Sequence, residues 1–191
     1  MLFRSKTVPE LVAWMKANPD KSNYATSSPA FTIATELFKL KTGAPGQPIP
    51  YKSSGESLVS VVGGQTLLTI ADGPPTVPLV KGNQVKALAV TGTVRSAELP
   101  DVPSMAEAGF PEVNTKLWSG MFAPASTPPA IVNKLQAAFS RAIRDPDVSA
   151  KLRGMAVNPG GGTSDEFRKM IDADIESYVA VVKAANLKFE Q

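Results

Sequence analysis

The sequence of 191 residues contains no cysteine and no histidine, and each absence removes a class of chemistry. Without cysteine there is no disulfide and no thiol nucleophile, and without either residue there is no zinc site of the usual nitrogen and sulfur ligands. A Ser-His-Asp triad and imidazole acid–base catalysis are excluded as well. The lack of cysteine assigns no cellular compartment, because reducing and oxidising compartments both accept such proteins.

Neither sign of charge predominates, and the chain has no long hydrophobic run. Charged residues make up 19% of the chain, the net charge is +3, and the basic residues are scattered rather than clustered. We therefore expect no nucleic-acid partner. The sequence contains no run of about 18 apolar residues, so no membrane span is predicted. The opening residues MLFRSK are not typical of a signal peptide, because no apolar segment follows the basic residues.

What the sequence does contain is 43% hydrophobic residues together with 17 prolines and 14 glycines, which indicates a globular protein of short elements and many turns. Within residues 5–117, apolar segments that predict strands alternate with capped amphipathic segments that predict helices. This alternation is typical of an α/β domain with a largely parallel sheet. The predicted strands are 23–26, 47–51, 66–71 and 85–90, and a very short helix is predicted at 104–109.

Residues 118–191 are predicted to be mostly helical. Helices are predicted over 128–144, 147–153 and 165–183. The first and the last of these carry an apolar stripe that needs an apolar partner, and few strands in this part can supply one. We therefore expect 118–191 to be the C-terminal, helix-rich part of one domain. Its missing strands would lie upstream of Met1 or in another chain.

The clearest candidate binding site lies where a predicted strand passes into a predicted helix. It comprises Tyr24, Thr26, Ser27, Ser28, Ala30 and Phe31. Free backbone N–H groups at a helix N-terminus attract an anion, and neighbouring hydroxyls add donors, which suits a carboxylate or a phosphate. A simpler interpretation, slightly favoured by spacing alone, is that Ser28 caps the helix and the other hydroxyls belong to a turn.

Two further candidates follow later predicted strands. Ser53 precedes a predicted helix, for which a capping serine, with Ser54 as the cap, is the favoured alternative. Asp72 ends an apolar strand, where open α/β sheets bind ligands, and an Asx turn opening Gly73-Pro74-Pro75 explains it equally well. No glycine-rich phosphate loop and no paired nucleophile and base occur, so we expect no catalytic residue, no cofactor and no metal.

Segments in the same order along nearly the whole chain resemble the Bug family, the extracytoplasmic solute receptors of tripartite tricarboxylate transporters. The most specific part is LPDVPSMAEAG over 99–109, together with FAP over 122–124. The other segments are YATSS over 24–28, ATELF over 34–38, PYKS over 50–53, GGQ over 63–65 leading to Asp72, VKALAVT over 85–91 and WSGMFAP over 118–124.

The resemblance implies an α/β fold of the periplasmic binding protein type II kind, with two lobes that close on a small carboxylic acid. It also implies a periplasmic location, membrane partners in the transporter and no enzymatic activity. In this family a loop rich in hydroxyls and glycines grips a ligand carboxylate, and it matches 26–31 here, while an acidic or amide position matches Asp72. This loop is shorter, lacks the glycines and is followed by Thr32 in place of the usual histidine, so the identity of the ligand does not carry over.

The family also has a longer N-terminal part than this sequence. We therefore expect one complete lobe, the second domain of the receptor, over 5–117, plus the C-terminal part of a second lobe over 118–191. The predicted function is capture of a di- or tricarboxylate or an aromatic carboxylate. The alternatives are an α/β enzyme acting on small anionic substrates, and the ligand-binding domain of a transcription factor, for which no helix-turn-helix is present.

Overall fold

The computed structural model describes residues 5–189, with a small parallel sheet at the centre of the N-terminal part. The strands are β1 (Asn23–Thr26), β2 (Gln47–Pro50) and β3 (Leu68–Thr69), in the order β2-β1-β3. In the central strand, Tyr24 pairs with Pro48 on one side and Leu68 on the other. The first two predicted strands are confirmed, and the third shrinks to two residues.

The described residues also form seven helices. They are α1 (Val8–Ala17), α2 (Pro29–Thr42), α3 (Ser54–Val62), α4 (Gly73–Lys81), α5 (Pro129–Arg144), α6 (Pro146–Gly154) and α7 (Ser164–Ala184). A 3-10 turn over Pro19–Lys21 connects α1 to β1. The helix ends follow local chemistry: the Thr7 hydroxyl accepts from the Glu10 N–H at the start of α1, and Gly43 ends α2 with a left-handed φ of 68°.

The main core lies between α1, α2 and a later irregular segment. Its buried side chains include Leu11, Met15, Phe38, Met105 and Val113. A second, smaller cluster joins Ile33 and Leu37 of α2 to Val181 of α7. The C-terminal helix is therefore attached to the α/β part through the outer face of α2.

Two predicted elements are wrong. Residues 85–90 form no strand and contribute only a single bridge between Val90 and Ser104. Because β3 pairs for only two residues, the sheet offers these residues no neighbour of matching length. Residues 104–109 form turns rather than a helix.

The predicted C-terminal helices are confirmed, but their apolar stripes stay partly exposed in the described chain. Ile131 and Leu135 of α5 are 47% and 45% exposed, and Ile175 of α7 is 54% exposed. Leu135 and Met170 face a trough of about 2650 Å3, whose other wall includes β3 and the start of α4. None of the helices within 5–189 is both long and apolar enough to cross a membrane.

Candidate ligand-binding site

The candidate site lies at one edge of the sheet, where three strands end and three helices begin. Because β1, β2 and β3 are parallel, their carboxyl ends meet at the same edge, with neighbouring strands about 4.8 Å apart. The segments 26–31, 51–53 and 70–72 follow these three strand ends. The structure therefore brings the predicted hydroxyl loop, Ser53 and Asp72 to one edge, which is where open α/β sheets bind ligands.

Hydroxyl groups fix the shape of the loop between β1 and α2. Thr26 Oγ1 lies 2.8 Å from Thr32 Oγ1, and both hydroxyls lie within hydrogen-bond distance of the Ser28 carbonyl oxygen, at 3.3 and 3.1 Å. Ser27 Oγ lies 3.4 Å from Ser54 Oγ at the start of α3. The loop is therefore fixed by hydrogen bonds to α2 and by one long contact to α3.

The N-terminus of α2 has no side-chain cap among residues 5–189. Ser28 occupies the N-cap position with extended backbone, but its hydroxyl makes no capping bond, and Pro29 at N1 carries no N–H. The Ala30 and Phe31 N–H groups lie in this uncapped first turn. An uncapped helix start offers donors and a positive dipole end to an anion.

Ser53 behaves differently, because its hydroxyl accepts from the Glu56 N–H at 3.2 Å and so caps α3. The cap is therefore Ser53, and the expectation that Ser54 occupies that position is wrong by one residue. Glu56 completes the arrangement by accepting from the Lys52 N–H at 3.2 Å. As the structure stands, the Ser53 side chain is committed to its own helix.

Asp72 occupies the N-cap position of α4, yet its side chain makes no capping bond. The physical reason is that the usual donors belong to the second and third residues of the helix, which are Pro74 and Pro75 and carry no N–H. An Asx turn at Asp72 would also need the N–H of Pro74, so that alternative interpretation has no donor. The Oδ1 atom of Asp72 is buried and has no hydrogen-bond partner among the described residues.

Two of the predicted site residues, Phe31 and Asp72, line the trough. Thr26, Ser27, Ser28, Ala30 and Ser53 do not line it. The trough is larger than the ~300–1000 Å3 typical of small-molecule pockets, so a small acid would occupy only part of it.

The two parts of the chain approach each other closely beside Asp72. A Cβ added at Gly73 would lie 2.8 Å from the Ala156 Cβ and 2.9 Å from the Met155 carbonyl oxygen. Only glycine leaves room for this approach. Ala156 itself has a left-handed φ of 58°.

Tyr24 lies in the core and is 0% exposed. Its hydroxyl donates to Glu36 Oε1 at 2.6 Å, and Lys39 Nζ lies 2.7 Å from the same oxygen. Burial, followed by the hydrogen bond and the charge of Glu36, raises the pKa of Tyr24, so the phenol stays a neutral donor. In this position Tyr24 holds β1 against α2 instead of facing the trough.

Sequence reasoning missed some polar groups of the site. Thr32 is not among the predicted site residues, although its place four residues after Ser28 puts it one helical turn along α2. Thr69 belongs to a predicted strand and is not a predicted site residue; its hydroxyl donates to the Ala25 carbonyl oxygen at 3.0 Å. Within 5–189 there is no group of three or more acidic residues that could hold a metal ion.

Comparisons with known proteins found relatives both in sequence and in fold. A sequence profile described as "Tripartite tricarboxylate transporter family receptor" matches residues 2–187. Protein BugT of Bordetella pertussis is 31% identical over 182 residues, which is 94% of this chain and 56% of the relative. The chain thus spans little more than half the length of the curated relative.

Two solved structures of similar fold contain small acids. One is described as R. palustris Rpa4515 with adipate; it has 30% identity and a TM-score of 0.91, and the match covers 97% of this chain and 62% of that one. The other is MatC (Rpa3494) from Rhodopseudomonas palustris with bound malate. It has 26% identity and a TM-score of 0.86, and the match covers 95% of this chain and 63% of that one.

Proposed function

The chain belongs to the tripartite tricarboxylate transporter receptor family, and from that premise we propose that it captures a small organic carboxylate as an extracytoplasmic solute-binding protein. The resemblance to the Bug family is confirmed, as is the α/β, periplasmic binding protein type II-like fold. Relatives of similar fold that hold adipate and malate support a carboxylate ligand.

The observation that carries this proposal is the uncapped start of α2 beside the hydroxyl loop. The Ala30 and Phe31 N–H groups and the Ser27 and Ser28 hydroxyls can donate to a carboxylate, as charge-assisted hydrogen bonds. Phe31, which is buried and lines the trough, supplies an apolar surface for the carbon chain. Thr26 keeps the loop in shape.

No observation favours the enzyme alternative. The groups gathered at the sheet edge are hydrogen-bond donors and one carboxylate, and they do not form a nucleophile paired with a base. The family and the neighbours are receptors, which supports a binding role without turnover. A screen for turnover of small esters and phosphates checks this, and measurable hydrolysis would favour the enzyme.

We also propose the periplasm as the location and the membrane components of a tripartite transporter as partners, on the strength of the family. Residues 5–117 would form the second domain of the receptor and 118–191 the C-terminal part of its first domain. The close approach of Met155 and Ala156 to Gly73 supports a ligand site near the meeting of these two parts.

Isothermal titration calorimetry tests the proposal directly. We expect the chain to bind at least one acid from a panel of succinate, malate, aspartate, adipate, citrate and benzoate. Replacing Ser27 and Ser28 together by alanine should weaken that binding by about 1–3 kcal/mol, because a charged ligand loses hydrogen-bond donors.

Ser126→Ala is the matched control, because Ser126 is exposed in a turn outside the three segments that follow the strands. It should leave the affinity unchanged. Undiminished affinity in the double variant would remove the loop from the site, and failure of every acid on the panel to bind would contradict the function.

A further inference from the structure

The two long C-terminal helices leave much of their apolar surface uncovered in a single chain. Helix α5 has 16 residues and buries only Ser140, and α7 has 21 residues and buries only Val181. An amphipathic helix owes most of its stability to an apolar face that packs against a partner. These helices therefore have less partner surface within the chain than their apolar residues require.

Part of this uncovered surface forms a continuous apolar wall on one side of the trough. The centroid of the Phe167 ring lies 5.1 Å from that of Trp118 and 5.4 Å from that of Phe122, so the three rings form one cluster. The apolar wall comprises Leu135 and Phe139 of α5, Phe167 and Met170 of α7, and Trp118, Met121 and Phe122 of the segment before α5. All of them except Phe167 are exposed, and an apolar patch of this kind marks an interaction site.

The exposed surface of the chain is also much larger than that of a compact monomer. The chain exposes 12317 Å2, whereas a compact monomer of its mass, 20.1 kDa, exposes about 8700 Å2. Six extended residues expose about 1000 Å2, so the six residues outside 5–189 account for less than a third of this difference. An excess of at least about 2600 Å2 therefore belongs to the described residues.

An excess of this size matches the area that a stable dimer covers. Obligate homodimers bury about 2000–5000 Å2 in total, through interfaces that are more apolar than the rest of the surface. Covering half of the excess on each of two copies would bury about 2600 Å2. The uncovered area is therefore sufficient for a second copy of the chain.

The trough has the size and the chemistry to hold a helix such as α5. Sixteen helical residues form a rod about 24 Å long and about 10 Å wide, which occupies roughly 1900 Å3 of the 2650 Å3 in the trough. The charged residues of α5 do not line the trough; they are Lys134, Arg141 and Arg144. The side of α5 that faces the trough is thus uncharged, as the core of an obligate interface is.

The free face of α5 is a regular row of apolar side chains. Ile131, Leu135 and Phe139 follow one another at a spacing of four residues, and all three are exposed. The adjacent face is already engaged, because Gln136 and Ser140 donate to carbonyl oxygens of the segment before α7. A ridge with four-residue spacing can pack into the grooves of an identical helix, which is the commonest class of helix contact.

We infer that the chain forms a homodimer in which α5 of each copy enters the trough of the other. The two ridges then pack against each other across a two-fold axis, and the apolar wall of each copy is covered by its partner. Such an interface is closed, because the same surface meets itself and no further copy can be added. The dimer does not depend on carboxylate binding.

Analytical ultracentrifugation of the purified chain over a range of concentrations measures the oligomeric state. We expect a dimer of twice 20.1 kDa that dissociates on dilution. Leu135→Glu places a charge in the centre of the ridge and should raise the dissociation constant about ten- to hundredfold. Val59→Glu is the matched control, because Val59 is exposed on α3 and does not line the trough, and it should leave the constant unchanged.

Cross-linking locates the interface independently of charge. Because the chain contains no cysteine, a single introduced thiol can form a disulfide only with a second copy. Under mild oxidation we expect covalent dimers from at least one of the variants Ile131→Cys, Leu135→Cys and Phe139→Cys, since part of the ridge must lie at the two-fold axis. Val59→Cys should give none.

Several results would overturn the inference. A monomer at every concentration means that the trough is left to a ligand or to another polypeptide segment. A dimer that forms equally well in folded Leu135→Glu means that the two copies meet elsewhere, and open-ended assemblies in place of a dimer contradict the two-fold arrangement. If Leu135→Glu fails to fold, the cross-linking comparison decides alone: disulfides from Val59→Cys that form as readily as those from the ridge would contradict the interface.

Discussion

At the scale of single residues, two helix starts that look alike in sequence do different things. Ser53 and Asp72 are both common N-cap residues at a strand-to-helix junction. Ser53 bonds to the Glu56 N–H, whereas Asp72 bonds to no N–H of its helix. The difference comes from Pro74 and Pro75, which replace the N–H groups that an N-cap side chain normally meets.

This difference predicts unequal effects on stability. Ser53→Ala should lower the free energy of unfolding by about 0.5–2 kcal/mol, the usual cost of losing a capping bond. Asp72→Ala should cost little, because the loss of a favourable charge near the helix dipole, about 0.3–1 kcal/mol, is offset by removal of an unpaired buried oxygen. Urea unfolding of both variants at the same pH measures the difference.

Thr163→Ala provides a second reference for the loss of a real cap, because Thr163 and Glu166 form a complete capping box at the start of α7. It should resemble Ser53→Ala. A loss in Asp72→Ala as large as in these two variants would mean that Asp72 stabilises its helix after all.

At the scale of elements, residues 95–109 contain a capping box, which normally starts a helix but here stabilises a loop. Ser104 and Glu107 bond reciprocally, as in a capping box, yet turns follow instead of a helix. Arg95 holds this loop: its Nε lies 3.0 Å from both Glu107 oxygens, and its Nη1 donates to the Pro100 carbonyl oxygen at 2.8 Å. The segment is fixed by side chains in place of a regular element.

This arrangement predicts a titration of Glu107 at unusually low pH. The hydrogen bond from Arg95, followed by the Ser104 N–H, lowers the pKa of Glu107 from 4.5 to about 2. Because the folded value lies below the unfolded one, the loop's stabilisation by this carboxylate is complete above pH 4.5 and is lost as the pH falls toward 2. An NMR titration of the Glu107 side chain measures the midpoint.

Arg95→Ala is the variant that tests the cause. It should return the midpoint of Glu107 toward its ordinary value without moving Glu166, whose pKa is lowered by bonds from Thr163 instead. An ordinary midpoint in the unmodified chain would show that the Arg95 pair does not persist in solution.

Most elements could be predicted from local signals, and the failures share a cause. Capping residues and prolines mark α1, α2 and α7 closely, because those signals act within one helical turn. The apolar run at 85–90 predicted a strand, but a strand also needs a neighbour, and periodicity does not reveal that β3 pairs for only two residues. The missing donors at Asp72 could have been read from the sequence, since Pro74 and Pro75 are adjacent to it.

At the scale of the whole molecule, the site depends on contacts that sequence spacing does not give. Thr26 and Asp72 share an edge only because β1 lies between β2 and β3. The helix-rich part joins the α/β part through Ile33, Leu37 and Val181, and again where Gly73 meets Ala156. Between the two parts lies the trough, walled on one side by half-exposed side chains of α5 and α7.

The central claim is that a small carboxylate binds at the start of α2, beside Asp72. The most direct measurement is a titration of the 15N-labelled chain with malate, adipate and succinate, followed by NMR of the backbone amides. We predict that the largest shifts fall on 27–32, with Ala30 and Phe31 foremost, and that smaller shifts fall on Asp72 and Gly73. Saturating shifts confined to other parts of the chain, or no shifts with any of the three acids, would contradict the account.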